Sequence, residues 1–152
     1  MKLTRAANDG FRLHLGHWEK ELLLKLTRPY PRLAPRHQKL SKSAVVPDHA
    51  ASQQLLEESL AEHQVANRKQ LAALLKADRL EPTKAGWRLS VSSAEVEALL
   101  QVLNDIRVGS WVRLGSPEQG CEVLNAQTAP DLWAMEMAGI LQARLLAALD
   151  GG

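Results

Sequence analysis

The polar residues best placed for chemistry lie in the stretch VLNDIRVGSWVRLG, which begins at Val102. Asn104, Asp105 and Arg107 stand there among large apolar residues, and Arg113 follows shortly after. Apolar residues at this spacing predict a buried helix, in which a charge needs a partner. At about 100° per residue, Arg107 falls inside the apolar stripe, Asn104 at its edge and Asp105 on the opposite side. We interpret Arg107 first as part of a structural ion pair or carbonyl clamp, and second as a group that binds a ligand or a partner.

The helix that carries this stretch is predicted over about Ser93 to Leu114. Its start, SSAE from Ser92 to Glu95, has the spacing of a capping box. We expect one apolar side, with Leu99 and Ile106 at its flank, formed by Val96, Leu100, Leu103 and Leu114. The apolar residues beyond Ile106 include Val108, Trp111 and Val112. They leave no clearly polar face, so we expect this half of the helix to be covered all round.

A second apolar helix is predicted at the end of the chain, over about Pro130 to Leu149. Its broad apolar face is formed by Trp133, Met137, Ile140 and Leu141. Arg144 projects from within that face, and we favour a side chain that buries its methylene stem while its head reaches outward. Asp105 and Glu136 are the candidate acids for pairing with Arg107 and Arg144.

Groups with catalytic or metal-binding potential do not form a recognisable set elsewhere. His14 and His17 have a spacing that can bind metal, but zinc needs at least three protein ligands and no nearby carboxylate or cysteine completes them. No Ser, His and Asp pattern has a nucleophile elbow, and no glycine-rich loop follows a predicted strand. Cys121 is the one cysteine and cannot form an intrachain disulfide. The sequence therefore predicts no catalytic residue, metal site or cofactor, and an enzyme is the minority interpretation.

A basic, proline-containing connection over about residues 28–47 is the main charged feature. Its basic residues recur about every four positions, with Tyr30 among them: Arg28, Arg32, Arg36, Lys39 and Lys42. Residues 1–47 carry a net charge of +7 and residues 48–152 a net charge of −5. Two interpretations stay open. The segment binds phosphates by a salt-sensitive electrostatic attraction, or it lies as a solvated basic loop on the acidic residues 48–152 of the same chain.

The remaining patterns predict a mainly helical α+β fold. KLTRAANDGFRLHLG predicts a β-hairpin. A short helix follows over about His17 to Thr27, and its inner side is formed by Trp18, Leu22 and either Leu23 or Leu26. Helix is also predicted from a cap at Asp48, either as one long rod or with a break and a second helix from about residue 60 to 77. A strand near residues 86–91 is expected to pair with the hairpin. The result is a small antiparallel sheet packed on a bundle of four or five helices, with the two apolar helices at the centre.

The length and composition predict one globular domain over residues 1–152. The chain is 45% apolar and 24% charged, which is ordinary for a domain of this size. The first residues lack the apolar core of a signal peptide, and no later run approaches the ~18 apolar residues of a spanning helix. We therefore expect a cytoplasmic protein without a membrane segment.

Two stretches resemble the C-terminal half of a bacterial family, the domain of unknown function numbered two thousand and seventeen. In EVEALLQVLNDIRVGSWVRLG, Leu103–Arg107 occupy the family's Leu-Asn-Asp-Leu-Arg motif and Arg113–Gly115 match the end of its helix. In APDLWAMEMAGILQARLLAAL, Leu141 and Gln142 match a Leu-Gln pair. The chain departs from the family at Trp111, where the family has a small or polar residue.

The resemblance, over about residues 55–149, implies a bacterial accessory or regulatory protein. Members are often encoded beside the adaptor that feeds substrates to the Clp protease, which is an association and not a mechanism. We therefore expect a non-enzymatic protein that binds another protein, with a Clp component as the candidate partner. The structural or partner-binding candidates are Asn104, Asp105, Arg107, Arg113, Gln142 and Arg144. The alternative is a nucleic-acid-associated protein that uses the basic segment 28–42.

Overall fold

The computed structural model describes residues 1–31, 49–118 and 124–151. Within these ranges four helices pack with a four-stranded antiparallel sheet, so the predicted mainly helical α+β class is confirmed. The strands are β1 (Lys2–Arg5), β2 (Phe11–Leu15), β3 (Leu80–Thr83) and β4 (Gly86–Val91). The helices are α1 (His17–Thr27), α2 (His49–Leu74), α3 (Ser93–Arg113) and α4 (Ala129–Asp150). The predicted cap Asp48 and the cysteine Cys121 lie outside the described residues.

The sheet has the strand order β1-β2-β4-β3, so β2 lies between β1 and β4. The predicted pairing between the N-terminal hairpin and the strand near residues 86–91 is confirmed, since Leu13 lies opposite both Leu3 and Leu89. All three leucines are buried, which places the core on their face of the sheet. The sequence does not predict β3, because Glu81 and Pro82 are typical of a turn. Proline is tolerated there because β3 is an edge strand.

The β3–β4 hairpin approaches β2 most closely at Gly86. This residue has a φ of 145°, and a Cβ atom there would lie 2.2 Å from the carbonyl oxygen of Leu15. Only glycine fits this combination of backbone angle and close approach. The contact seats the hairpin against the connection that leads from β2 into α1.

The bounds predicted for α1 are confirmed, but Trp18 does not lie on its inner side. Leu22, Leu23 and Leu26 are buried, whereas Trp18 is 53% exposed. A helix of this length buries one stripe, and the three leucines already fill it. The Thr27 hydroxyl donates a hydrogen bond to the carbonyl oxygen of Leu23 at 2.8 Å, which stabilises the last turn of α1.

One continuous helix, α2, covers the region where the sequence left open either a rod or two helices. Its buried residues are confined to its C-terminal part, namely Asn67, Leu71 and Leu74. None of residues 50–66 is buried. The N-terminal two thirds of α2 therefore pack only loosely on the rest of the described chain.

The predicted capping box at the start of α3 is confirmed. The Ser92 hydroxyl accepts from the Glu95 backbone N–H at 3.1 Å, and the Glu95 carboxylate accepts from the Ser92 backbone N–H at 2.9 Å. Arg79 adds an ion pair to Glu95 at 2.6 Å. The hydrogen bonds from Arg79 outweigh burial and hold the pKa of Glu95 below its ordinary value.

The predicted apolar side of α3 is confirmed in part, since Val96, Leu99, Leu103 and Ile106 are buried, but the buried face is rotated relative to the prediction. Its buried residues are Val96, Leu99, Val102, Leu103, Ile106, Gly109 and Ser110. Leu100 and Leu114 are only half-buried, and Arg107, predicted inside the stripe, is exposed. The small residues Gly109 and Ser110 lie on the side facing α4, whose Ala134 and Ala138 are fully buried. Small side chains let two helices approach closely, so Gly109 and Ser110 extend the buried face that the large apolar residues of α3 begin.

The expectation that the second half of α3 is covered all round is also wrong. Val108 and Trp111 are both exposed, since α4 covers the side of α3 that carries Ser110. The polar periodicity is weak there because apolar residues occupy part of the solvent-facing side as well as the core side.

The last helix, α4, is long and apolar enough to cross a membrane by length and composition alone. An 18-residue window within Ala129–Asp150 has a mean hydropathy of 1.3, and 22% of it is buried. The sequence criterion of a run of ~18 apolar residues does not single out this helix, which is interrupted by Asp131, Glu136 and Arg144. The core helix of a soluble protein meets it too, and α4 packs along α3.

Candidate functional site

Arg107 and Gln142 come together across the α3–α4 interface. Arg107 Nη1 donates to Gln142 Oε1 at 3.2 Å, and its stem passes Gly139. Because Arg107 is exposed, its charge is solvated and needs no buried acid. Within the described residues Arg107 forms no ion pair with either candidate acid, Asp105 or Glu136, and its contact with Gln142 is a surface link between two helices.

Arg113 makes a second link between the same two helices. Its Nε donates to Asp131 Oδ1 at 2.9 Å, and the side chain of Asp131 is almost fully buried. Asp131 lies in the first turn of α4, where the helix dipole favours a negative charge. The sequence analysis misses this acid, although its place just after Pro130 at a predicted helix start is the signal that could identify it.

Arg144 pairs with Glu19, an acid that is not among the two candidates Asp105 and Glu136. Arg144 Nη1 donates to Glu19 Oε1 at 2.7 Å, and its guanidinium lies 5.4 Å from the ring centre of Trp18. Glu19 is 4% exposed and also accepts from the Met1 ammonium and the Gly16 backbone N–H. Burial raises the pKa of Glu19, but these donors outweigh it and hold the pKa below its ordinary value. One buried carboxylate thus joins β1, α1 and α4.

Asp105 takes part in a separate network on the opposite side of α3. Tyr30 donates its hydroxyl to Asp105 Oδ2 at 3.0 Å, and Gln101 Nε2 donates to Asp105 Oδ1 at 2.9 Å. Burial, with a smaller contribution from Asp105, raises the pKa of Tyr30 to about 12, so the phenol stays a donor. Asn104 is half-buried, and its side chain makes no hydrogen bond among the described residues. The residues of the Asn-Asp-x-Arg motif therefore do not converge on one site.

A groove between α1 and α4 has the composition of a binding site, and we call it the tryptophan groove. Its volume is about 410 Å³, and it is lined by Trp18, Glu21, Leu22, Leu24, Lys25, Arg28 and Trp133. Trp18 is 53% exposed and Trp133 is 37% exposed. Lys25 Nζ lies 4.9 Å from the ring centre of Trp133, while Arg144 covers Trp18. Each tryptophan of the groove therefore carries a cation over its face.

The four tryptophans divide into two pairs by their hydrogen bonds. Trp87 Nε1 donates to His17 Nδ1 at 3.4 Å, and Trp111 Nε1 donates to the Pro117 carbonyl oxygen at 3.0 Å. Within the ranges that the structure describes, the indole N–H groups of Trp18 and Trp133 donate to no protein atom. Both unused donors belong to the tryptophan groove.

The groove is positively charged near the C-terminal end of α1. Lys25 and Arg28 line it, while its one acid, Glu21, pairs with Lys20 at 3.3 Å. Arg28 is the member of the predicted basic surface that the structure describes. Arg32, Arg36, Lys39 and Lys42 lie outside the described residues.

The two histidines with metal-like spacing have other partners. His14 Nε2 lies 3.2 Å from the Thr4 hydroxyl, and His17 accepts from Trp87. In the described part of the chain, no three His, Cys, Asp or Glu side chains are grouped closely enough to hold a metal ion.

Comparisons with known proteins leave the chain without an assigned relative. No family model, no curated protein and no solved structure matches it. The resemblance of the α3 and α4 sequences to the bacterial family stays a prediction.

Proposed function

We propose that this protein acts without catalysis, by binding another protein at the tryptophan groove. The observation that carries the proposal is the pair of exposed tryptophans that share one groove and leave both indole donors unused. Tryptophan is enriched among the residues that dominate binding energy, because one side chain combines a large apolar surface with a polar donor. Trp18 and Trp133 satisfy both conditions.

The charge around the groove favours an acidic segment of the partner. Carboxylates can accept from the two indole N–H groups and pair with Lys25 and Arg28. An apolar side chain from the same segment can pack on Leu24, the half-buried leucine of the groove lining. Charged groups at the rim then chiefly speed association and select the partner, while the tryptophans supply most of the affinity.

The identity of the partner is a further part of this proposal. The sequence resemblance suggests a component of Clp-dependent proteolysis in a bacterial cytoplasm. Nucleic acid is the competing polyanion, since Arg28 continues in sequence into the basic segment.

The test compares two tryptophans of similar exposure on different surfaces. Trp133→Ala removes one side of the groove, and Trp111→Ala removes a residue that is 39% exposed on α3, outside the groove. Tagged protein is purified from the native cell, the recovered protein is identified, and its affinity for each purified variant is measured. We expect Trp133→Ala to weaken binding about tenfold or more and Trp111→Ala to leave it unchanged.

Three results would contradict the proposal. The first is equal affinity of the partner for both variants and the wild type. The second is binding that survives neutralisation of the acidic residues of the partner. The third is saturable binding to duplex DNA at low salt that depends on Lys25 and Arg28, with no protein partner recovered, which would favour the nucleic-acid alternative.

A further inference from the structure

The outward side of α4 is apolar, yet the described residues leave it uncovered. A core helix as apolar as this one is mostly buried, whereas only 22% of an apolar 18-residue stretch within α4 is buried. Ile140 is 37% exposed, and Leu146, less than two turns further along, is 46% exposed. Contiguous apolar surface of this kind marks a place where a protein meets a partner.

The same surface continues onto α3, which runs antiparallel to α4. Arg113 bonds Asp131 and Arg107 bonds Gln142, so ascending positions on α3 face descending positions on α4. Trp111 lies between these two links, level with about residue 135, and is 39% exposed. We call the combined surface the α3–α4 face and define it by Arg107, Val108, Trp111, Glu136, Ile140 and Leu146.

The α3–α4 face carries two opposite charges that form no ion pair among the described residues. Arg107 donates to Gln142 but meets no carboxylate, and the exposed Glu136 makes no hydrogen bond or ion pair there. The stem of Arg107 passes Gly139, and Glu136 lies three positions before Gly139, which is about 4.5 Å along the helix axis. A cation beside an anion is a pattern that complements itself when the face is turned by 180° onto a copy.

The α3–α4 face is also large enough for a dimer. The two helices have 21 and 22 residues, so each is about 32 Å long. Two packed helices are together about 20 Å wide, which gives a face of about 600 Å². Two such faces bury about 1,200 Å², the lower end of the range for specific interfaces. We therefore expect a dimer that forms reversibly.

We infer that the α3–α4 face binds a second copy of this chain about a twofold axis, with Arg107 of each copy paired with Glu136 of the other. Every contact in a twofold interface occurs twice, so one such pair per chain gives two in the dimer. The partner copy covers Ile140 and Trp111, which then form the apolar centre of the interface.

A lipid surface is the competing occupant, because α4 is apolar enough to enter a bilayer. Glu136 disfavours it, since a carboxylate is costly in hydrocarbon and is repelled by anionic headgroups. A second copy instead brings an arginine to the same carboxylate. The charges of the α3–α4 face therefore favour the dimer.

The test is sedimentation equilibrium of the full chain over a range of concentrations. We expect a monomer–dimer equilibrium. Arg107→Glu and Glu136→Arg should each weaken association about tenfold, because each places like charges opposite one another twice in the dimer. The double variant exchanges the two charges and should restore association to within about threefold of the wild type. Both positions are exposed, so the variants should fold.

The control is Arg68→Glu, which makes the same change in net charge at an exposed position of α2 outside the face, and it should associate like the wild type. The inference is overturned if the chain stays monomeric at the highest soluble concentration, or if the double variant associates no better than the single ones. An equal effect of Arg68→Glu would overturn it too. So would a monomer that binds phosphatidylglycerol vesicles through the same residues, which would assign the face to a lipid surface.

This inference does not rest on the proposed function, because the α3–α4 face shares no residue with the tryptophan groove. Trp111→Ala should weaken the dimer and leave the affinity of a single chain at the groove unchanged. Trp18→Ala should weaken binding at the groove and leave the dimer unchanged. The two proposals can therefore fail separately.

Discussion

Replacing Glu19 by glutamine should destabilise the protein in a way that depends on pH. Its carboxylate is the buried acceptor shared by the Met1 ammonium, Arg144 Nη1 and the Gly16 backbone N–H. Glutamine keeps the size and one acceptor oxygen but removes the negative charge between two cations. The variant therefore isolates the electrostatic contribution of this junction.

The expected loss at neutral pH is about 2 kcal/mol. A hydrogen bond to a charged group contributes roughly 1.5–3 kcal/mol, and the buried contact with Met1 should lose most of that. Arg144 contributes less, because its side chain is 49% exposed and solvent screens the pair. For a chain of this size the loss corresponds to a fall in Tm of about 4–8 °C.

The pH dependence follows from the lowered pKa of Glu19. A carboxyl whose folded pKa lies below its ordinary value of 4.5 stabilises the protein above that value and loses this contribution as the pH falls through the folded pKa. Wild type and variant should therefore differ at pH 7, and the difference should shrink as the pH falls below the ordinary value of 4.5 and through the lowered pKa of Glu19.

The assay is urea unfolding followed by tryptophan fluorescence at several pH values. Glu21→Gln is the control, since Glu21 lies on the same helix but forms an exposed pair with Lys20, and it should change the free energy of unfolding by less than about 0.5 kcal/mol. The reasoning is refuted if Glu19→Gln is as stable as the wild type at pH 7, or if its deficit persists unchanged at low pH.

Three further substitutions test other parts of the fold, each by the change in the free energy of unfolding. Gly86→Ala should lower the free energy of unfolding by about 3 kcal/mol, because the new Cβ would lie 2.2 Å from the Leu15 carbonyl oxygen. The control Gly115→Ala, which has a φ of 90° and open space around it, should lower it by only about 1 kcal/mol. Equal losses would contradict the clash at Gly86. Ser110→Ala should be neutral or stabilise by up to about 1 kcal/mol, because the buried hydroxyl has no hydrogen-bond partner, and a clear loss would mean that the hydroxyl is satisfied. Tyr30→Phe should cost about 1–2 kcal/mol by removing the bond to the carboxylate on α3, and an unchanged stability would contradict that role.

Local patterns with a fixed geometry could be predicted from the sequence. The capping box places Ser92 and Glu95 within reach of each other whatever else the chain does, so the start of α3 follows from four residues. The N-terminal hairpin follows in the same way from alternation on both sides of a turn, where Asn8 and Asp9 have positive φ. The complete sheet is harder to predict from the sequence, because β3 contains residues that are typical of turns and pairs only with β4 among the described strands.

The orientation of α3 could be predicted only in part, because helical projection gives most weight to large apolar residues. Small residues of both helices, among them Ser110 and Ala138, are fully buried as well, and sequence patterns rank such residues as neutral. The same error placed Arg107 inside the core. A helical projection that also counted small residues as candidates for the interface between α3 and α4 would place the buried face of α3 more accurately.

The two proposed sites depend on contacts between distant parts of the chain. Trp18 and Trp133 are brought together by the packing of α1 on α4, and Arg107 meets Gln142 across 35 positions. No local pattern encodes these pairs, which arise only when the core forms. The functional residues that could be named from the sequence were therefore the polar exceptions within apolar helices. Of these, Arg107, Arg113 and Arg144 link helices.

The central position of β2 has a consequence for the order of folding. One of its neighbours, β1, is next to it in the chain, but the other, β4, pairs Leu15 with Trp87 and is not synthesised until more than seventy residues later. A two-stranded hairpin is only marginally stable alone, and closing so long a loop delays the pairing that would stabilise it. During synthesis β1 and β2 therefore remain a two-stranded hairpin, with one edge of β2 unpaired, until β4 has left the ribosome. During that interval the edge of β2 is the part of the chain most open to pairing with another polypeptide.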